Sequence, residues 1–367
     1  MAGGAGERFW PLSRKKFPKQ LLPLGTNNNS ILEDSINRAA TVIPYEDIFV
    51  ITNELLVNTM RNTLKMLPKE NIIPEPAKRN TAPCLTLAIA YILARYNNLS
   101  SKDISIAILT ADQNIYPIEK FTLTLDAALS YAENNNSLVT IGIIPTRPET
   151  GYGYIETAEQ CSSDSTALQF NKVLQFREKP NKETAEQFIK TGRFTWNSGM
   201  FFWRCDTFIN NLIKYMPELG NKIENLKELL LNKTKIISDS LDQPVKNIFN
   251  EFPSISIDYA LMEKADNVVV CKAIFNWDDI GSWDSLYRTK KADENGNITN
   301  GKTSIIDSSN SIVMNYCSKN LVVAGINLKD LVVVATDDAI LVCPKSEVQN
   351  IKKTVEDIKN NFGEEHI

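Results

Sequence analysis

The chain runs to 367 residues, too long for one ordinary domain and ample for a large α/β domain with a smaller attachment. With 43% hydrophobic and 23% charged residues, 15 Gly and 16 Pro, it is composed like a folded globular protein rather than a disordered or fibrous one. Forty basic against 44 acidic residues give a formal charge of −4, which excludes a broad positive surface for nucleic acid or anionic lipid, so any phosphate must be met locally.

Met1-Ala2-Gly3-Gly4 opens a glycine loop; such loops normally leave a strand, which leads one to expect a few residues ahead of Met1. Between residues 30 and 145, helix-like stretches alternate with short β-branched runs, the pattern of βαβ units in a doubly wound sheet. Helices are expected at Ile31–Val42, Leu55–Leu67, Ala82–Tyr96 and Phe121–Asn134, and strands at Ile48–Thr52, Ile104–Leu109 and Leu138–Ile144. From about 150 to 285 the alternation loosens: hairpin-like segments (Tyr152–Thr157, Leu168–Glu178) interleave with helices at Lys182–Thr191, Cys205–Tyr215 and Ser256–Lys264. After the turn cluster Glu294-Asn295-Gly296-Asn297, short runs at Ser304–Asp307, Ser311–Asn315, Leu321–Ala324 and Leu331–Thr336 predict a small β domain, closed by an amphipathic helix over Lys345–Asn361. The expected division is 1–290 and 291–367.

The residue inventory narrows the chemistry. His366 is the only histidine, so histidine acid–base, metal or triad chemistry is nearly excluded. The six cysteines (Cys84, Cys161, Cys205, Cys271, Cys317, Cys343) contain no C-x-x-C pair, which fits reduced thiols in a cytosol better than zinc or a disulfide framework. No run reaches the roughly 18 apolar residues of a membrane span, and no secretory signal pattern opens the chain, so a cytoplasmic protein without membrane partners is expected.

Gly3-Gly4-Ala5-Gly6-Glu7-Arg8 reads either as an ordinary strand-to-helix turn or as a phosphate cradle in which backbone N–H groups approach phosphate oxygens and Arg8 adds a cationic fork. Lys19 is a surface lysine taken alone, and a second triphosphate cation in that context. Asp112, just past the apolar run ending at Leu109, stands where ions collect in open α/β sheets. Trp277-Asp278-Asp279-Ile280-Gly281 offers a further carboxylate, with Asp278 directed to the other side of a strand and read as a surface acid. Two carboxylates with substrate phosphates suit Mg²⁺. Thr81 and Pro83 fit a helix start, Thr81 as the N-cap. Glu178-Lys179-Pro180 is otherwise a plain strand exit, and Asp258 a helix N-terminal acid favoured by the dipole.

AGGAGERFWPLSRKKFPKQ resembles the opening signature GGxGxRxWPLSRxxxPKQ of mannose-1-phosphate guanylyltransferases, a branch of the sugar nucleotidyltransferases. Glu75-Pro76-Ala77-Lys78-Arg79-Asn80-Thr81-Ala82-Pro83 matches the EPxxRNTAP segment of the guanylyl members, and further matches run to about residue 290. The resemblance implies a Rossmann-like (GT-A-like) α/β fold with a mixed sheet flanked by helices and a small β-helix-like C-terminal domain. It implies that Ala2, Gly3, Gly4, Gly6, Arg8 and Lys19 hold the triphosphate, that Glu75, Arg79, Asn80, Thr81 and Pro83 lie beside the guanine, and that Asp112 and Asp279 ligate Mg²⁺. Gly151, Tyr152, Gly153, Glu178, Lys179 and Asn197 of Trp196-Asn197-Ser198-Gly199-Met200-Phe201 would bind the sugar phosphate. Gln113 departs from the usual histidine after the first metal aspartate and predicts retuned binding.

The expected reaction is Mg²⁺-assisted in-line attack of mannose 1-phosphate on GTP, giving GDP-mannose and diphosphate, with no covalent intermediate. Rivals are a transferase for another sugar 1-phosphate and a catalytically silent nucleotide-sugar-binding regulator; a kinase lacks its G-x-x-x-x-G-K-[ST] motif here. The tail resembles that of monofunctional members, with no appended isomerase expected, and a homodimer is the assembly the resemblance suggests.

Overall fold

The computed structural model describes residues 1–3, 6–25, 29–161 and 168–367. It divides into two compact units: one holds Met1, Asn37–Thr110 and Ile115–Asn276, the other Ala2–Ile36, Ala111–Asn114 and Trp277–Ile367.

In chain order the elements up to residue 272 are α1 (Ile31–Ala39), β1 (Val50–Asn53), α2 (Val57–Thr63), β2 (Ile72–Glu75), α3 (Thr81–Arg95), β3 (Ser105–Ile108), β4 (Asn114–Tyr116), α4 (Ile118–Asn135), β5 (Leu138–Ile143), β6 (Tyr154–Gln160), β7 (Phe170–Arg177), α5 (Lys182–Thr191), β8 (Phe194–Arg204), α6 (Cys205–Tyr215), α7 (Pro217–Gly220), α8 (Ile223–Leu230), α9 (Gln243–Glu251) and β9 (Val268–Lys272). β1 and β2 pair in parallel by themselves. The main sheet runs β3-β8-β5-β9-β7-β6 and is mixed: only β5 and β9 run parallel, while its other pairs are antiparallel. The parallel, doubly wound arrangement that the alternation between residues 30 and 145 suggests does not extend through this sheet, because β8 runs antiparallel to both β3 and β5 and β6 and β7 pair antiparallel with each other.

β8 is the strand that shapes the site. On β5, Thr140 pairs with Phe201 and Gly142 with Asn197, so Ser198–Met200 oppose the single residue Ile141. Gly199 takes a left-handed φ of 69° in this bulge, and the Ser198 hydroxyl donates to Ile141 O at 2.7 Å. Beyond the bulge β8 also pairs with β6, Trp196 lying beside Tyr154. A bulge of this kind re-aims the side chains around it.

α3 is apolar almost all round and is buried on most of its surface, as a helix without a polar face must be. The residue at its N-cap is Asn80 (φ 69°), whose side chain accepts from Thr81 N, and not Thr81 as the helix-start pattern suggests. Thr81 instead accepts the Ile257 amide at 2.8 Å. The helix expected over Ser256–Lys264 is a five-residue π-turn, Asp258–Met262, too short to present a dipole of its own.

In the second unit follow β10 (Asn276–Asp278), α10 (Leu286–Thr289), β11 (Ile298–Asn300), β12 (Thr303–Ile306), β13 (Ile312–Asn315), β14 (Val323–Ile326), β15 (Leu331–Ala335), β16 (Ile340–Pro344) and α11 (Ile351–Phe362). β11, β13 and β15 stack in parallel, β12 and β14 do likewise, and β16 closes the larger sheet antiparallel to β15: a β-helix-like coil. Its apolar interior, with Ile298, Ile312, Val332 and Val334, is continuous with Phe9, Trp10, Ile280 and Trp283 in one buried cluster.

Candidate active site

The second unit carries the glycine loop, both expected metal aspartates and both expected cations. Gly6 sits in the left-handed region (φ 65°) and opens a single 3₁₀ turn over Glu7–Phe9. A Cβ at Gly6 would lie 2.2 Å from Lys19 Cβ and 3.0 Å from its amide nitrogen, so glycine is required both by conformation and by the close passage of Lys19. The Ser13 hydroxyl, donating to Gly6 O at 2.7 Å, fixes the turn from behind. Ala2 is buried and Gly3 exposed with open space around it, while Gly4 lies outside the described residues.

Lys19 is buried to its tip, and its ammonium donates to Asp112 Oδ2 at 3.1 Å and to the Asp279 carbonyl at 2.6 Å. Asp112 is exposed enough to be reached by a ligand, at 41% of its side chain. Arg8 is exposed, and its Nη1 donates to Gly281 O at 3.2 Å. Four residues far apart in sequence thus meet: Arg8 and Lys19 bracket the Asp279–Gly281 turn, and Lys19 ties that turn to Asp112. Gln113 beside it is buried. Among the described residues no three His, Cys, Asp or Glu gather as a complete metal cage. Two hard carboxylates that leave further ligands to phosphate oxygens and water fit a small divalent cation of the Mg²⁺ type. Asp278 is not the surface acid expected from strand alternation: it is buried and ion-paired to Arg288.

The first unit carries the residues expected at the base and the sugar. Arg79 is spent on carbonyls, donating to Phe252 O at 3.2 Å and Asn250 O at 2.8 Å, while Asn80 and Thr81 form the start of α3 and Pro83 is buried in its first turn. Glu75 ends β2, and its burial pushes the carboxyl up to about 7 against a smaller opposing pull from the chain's N-terminal ammonium.

Gly153, Glu178 and Asn197 come together. A Cβ at Gly153 would approach Glu178 Oε1 at 3.0 Å and Asn197 Cβ at 3.7 Å, and Gly153 O accepts the Asn197 amide at 2.8 Å. The Asn197 side chain is oriented at both ends: its oxygen accepts from Gly199 N at 3.0 Å and its nitrogen donates to Asp258 Oδ1 at 2.8 Å. Asp258 therefore belongs to this cluster and is not a helix-dipole acid. Burial raises the Asp258 carboxyl, while desolvation and then the Asp258 charge raise that of Glu178. Lys179 follows with a left-handed φ of 39°, which turns the chain sharply at the end of β7.

Sequence reasoning missed Arg147. Its guanidinium lies over the Trp196 ring at 5.0 Å and the Tyr152 ring at 5.8 Å, donates to the Tyr152 hydroxyl at 3.2 Å, and pairs with Glu149 at 3.1 Å. Glu149 Oε1 in turn accepts from Gly151 N at 3.2 Å. The signal was present in the arginine standing four residues ahead of the Gly-Tyr-Gly run, but a charge outside a motif reads as surface.

Comparison with known proteins agrees with this construction. Residues 1–296 match the family model described as "Nucleotidyl transferase", and residues 301–358 the "MannoseP isomerase/GMP-like beta-helix domain". The chain is 36% identical over 369 residues to a mannose-1-phosphate guanylyltransferase of Escherichia coli, spanning all of this chain and 76% of that one. It is 39% identical over 371 residues to one of Salmonella montevideo, spanning 100% and 74%. A solved structure from Thermus thermophilus, described as a mannose-1-phosphate geranyltransferase, matches at a TM-score of 0.82 and 29% identity over 98% of both chains. The chain belongs to the nucleotidyl transferase family, among the mannose-1-phosphate guanylyltransferases.

Proposed function

We propose that this protein transfers GMP from GTP to α-D-mannose 1-phosphate, releasing diphosphate and forming GDP-mannose. The observation that carries the reading is the Lys19 ammonium held between the Asp112 carboxylate and the Asp279 carbonyl beside the glycine turn. Family members generally use a divalent metal ion. Here Mg²⁺ is proposed, held by Asp112 and Asp279, where it would supply charge neutralisation on the phosphates. Arg8 and Lys19 bind the triphosphate and offset the negative charge that builds on the departing diphosphate. The attacking phosphate oxygen is already an anion, so no strong general base is needed, and positioning with electrostatics lowers the barrier.

Backbone groups at Ala2, Gly3 and Gly6 would approach the phosphates, and Glu75, Arg79, Asn80, Thr81 and Pro83 would line the base. Glu178 would accept sugar hydroxyls, Asn197 would contact a hydroxyl with its oriented amide, and Lys179 would hold the sugar phosphate near Gly151, Tyr152 and Gly153. We take 1–290 as the catalytic region, 291–367 as the small C-terminal domain, the cytoplasm as the location and a homodimer as the assembly. No helix among the described residues is long and apolar enough to cross a membrane.

Diphosphate release from GTP, Mg²⁺ and mannose 1-phosphate tests the reading, and Asp279→Ala is expected to lose on the order of a hundredfold or more in rate while staying folded, as for comparable electrostatic contacts. Full activity of that variant removes the two-carboxylate site; no release with any sugar phosphate favours the binding-regulator reading.

A further inference from the structure

Asp279 stands between a left-handed residue and a buried, ion-paired one. Ile280 has φ of 41°, a left-handed backbone that crowds a β-branched side chain. Its side chain is 1% exposed, anchored in the cluster with Phe9, Trp10 and Trp283. On the other side Asp278 is 6% exposed and grips Arg288 with a forked pair: Nε donates to Oδ2, and Nη2 donates to Oδ1 at 3.1 Å. The same Oδ1 accepts the Ile280 amide at 2.9 Å. Both Asp278 oxygens are thereby engaged, so Asp278 is not arranged as a metal ligand.

The Ile280 side chain is held by the core and its amide by Asp278, and together these restrain the path of the chain through residue 279. That path delivers the Asp279 carbonyl to Lys19 at 2.6 Å. Gly281 keeps the space open on the far side, since a Cβ there would stand 3.1 Å from Asp279 Oδ2 and 3.4 Å from Arg8 Nη1. A buried carboxylate with one cationic partner is costly to leave alone, so Asp278 and Arg288 act as a unit.

We propose that Asp278 and Arg288 are positioning residues: their fork, through the Ile280 amide, holds the left-handed turn that aims Asp279 at the divalent cation. The inference rests on the reading of Asp279 as a metal ligand. Residues that orient a metal ligand typically change metal affinity by about 10–100-fold when replaced.

Mn²⁺ titrated into the full chain, with free Mn²⁺ followed by electron paramagnetic resonance, reads the effect without turnover, and amide hydrogen exchange across 277–283 reads the turn itself. Asp278→Ala and Arg288→Ala are expected to weaken Mn²⁺ binding by about tenfold and to speed exchange at Ile280. Asp278→Asn keeps an oxygen for the Ile280 amide and is expected to recover part of that loss. If alanine unfolds the turn, Asp278→Asn and Arg288→Lys decide: weakened binding supports the clamp, and parent-like binding in both overturns it. Asp279→Ala separates the two readings. Loss of Mn²⁺ in Asp279→Ala with parent-like Asp278 and Arg288 variants sinks the clamp alone, whereas parent-like Asp279→Ala sinks the metal-ligand reading and the clamp with it.

Discussion

Glu75 closes β2 as a carboxyl that burial has moved from 4.5 to about 7. Between those values the folded protein keeps a proton that the unfolded chain has released, so the stability tied to this group is full below pH 4.5 and is lost as pH rises through 7. Glu75→Gln removes that penalty. The melting temperature of the variant relative to the parent should therefore rise between pH 5 and pH 8, and an equal difference at both pH values would count against it. Residues on the phosphate side were legible in sequence because small steric facts leave marks there: Gly6 is demanded by Lys19 passing at van der Waals contact, and both belong to one motif. Asp278 was not, since a partner ten residues on in chain gives no local sign of pairing, and nor was Asp258, whose tie to Asn197 spans 61 residues.

The start of α3 shows how an element can be fixed from outside its own sequence. Thr81 accepts the Ile257 amide at 2.8 Å, and Ala82 N donates to Ile255 O at 3.1 Å, so the segment before the π-turn is stitched to the helix N-terminus. Thr81→Val strands the amide of the buried Ile257, and urea unfolding should show a loss of about 1–3 kcal/mol, the usual cost of an unpaired buried donor. A variant as stable as the parent would mean the stitch contributes nothing. Elements with local punctuation were read to the residue: α5 runs from the Asn181 cap to a left-handed Gly192, and α6 likewise matched over Cys205–Tyr215. β8 escaped because its bulge breaks the alternation at Ser198 and Gly199, which looks like a loop. β9 escaped for a simpler reason: a single short strand is hard to separate from neighbouring apolar runs when its partners, β5 and β7, are distant in the chain.

At the scale of the chain, mixed sheet, flanking helices and a β-helix-like tail follow the expectation drawn from the motifs, while strand direction in the main sheet did not emerge from alternation. Pairing is a long-range property that a local pattern does not encode. The tail shares its unit with the glycine turn: Phe9, Trp10, Ile280 and Trp283 lie in the same buried cluster as Ile298, Ile312, Val332 and Val334. A chain stopped at residue 290 uncovers Phe9 and Trp10, which follow Arg8, and Ile280 and Trp283, which follow Asp279. It should show low soluble yield and dye-binding apolar surface with loss of diphosphate release; a soluble, active truncation would show that the glycine turn needs no support from the tail.

The tail has a further property that its ladder reveals. Thr303 lies beside Val323 and Ile312 beside Val332, twenty residues apart in each case, and the left-handed corners recur on the same interval at Asp307 and Asn327 and at Asn310 and Asp330. Each rung pairs with the rungs next to it, so that part of its stability is a nearest-neighbour quantity that adds up rung by rung. Growth or loss by a whole rung keeps every inward side chain inward, whereas a change of one residue turns a strand inside out. The length of this tail is in that sense counted in whole coils.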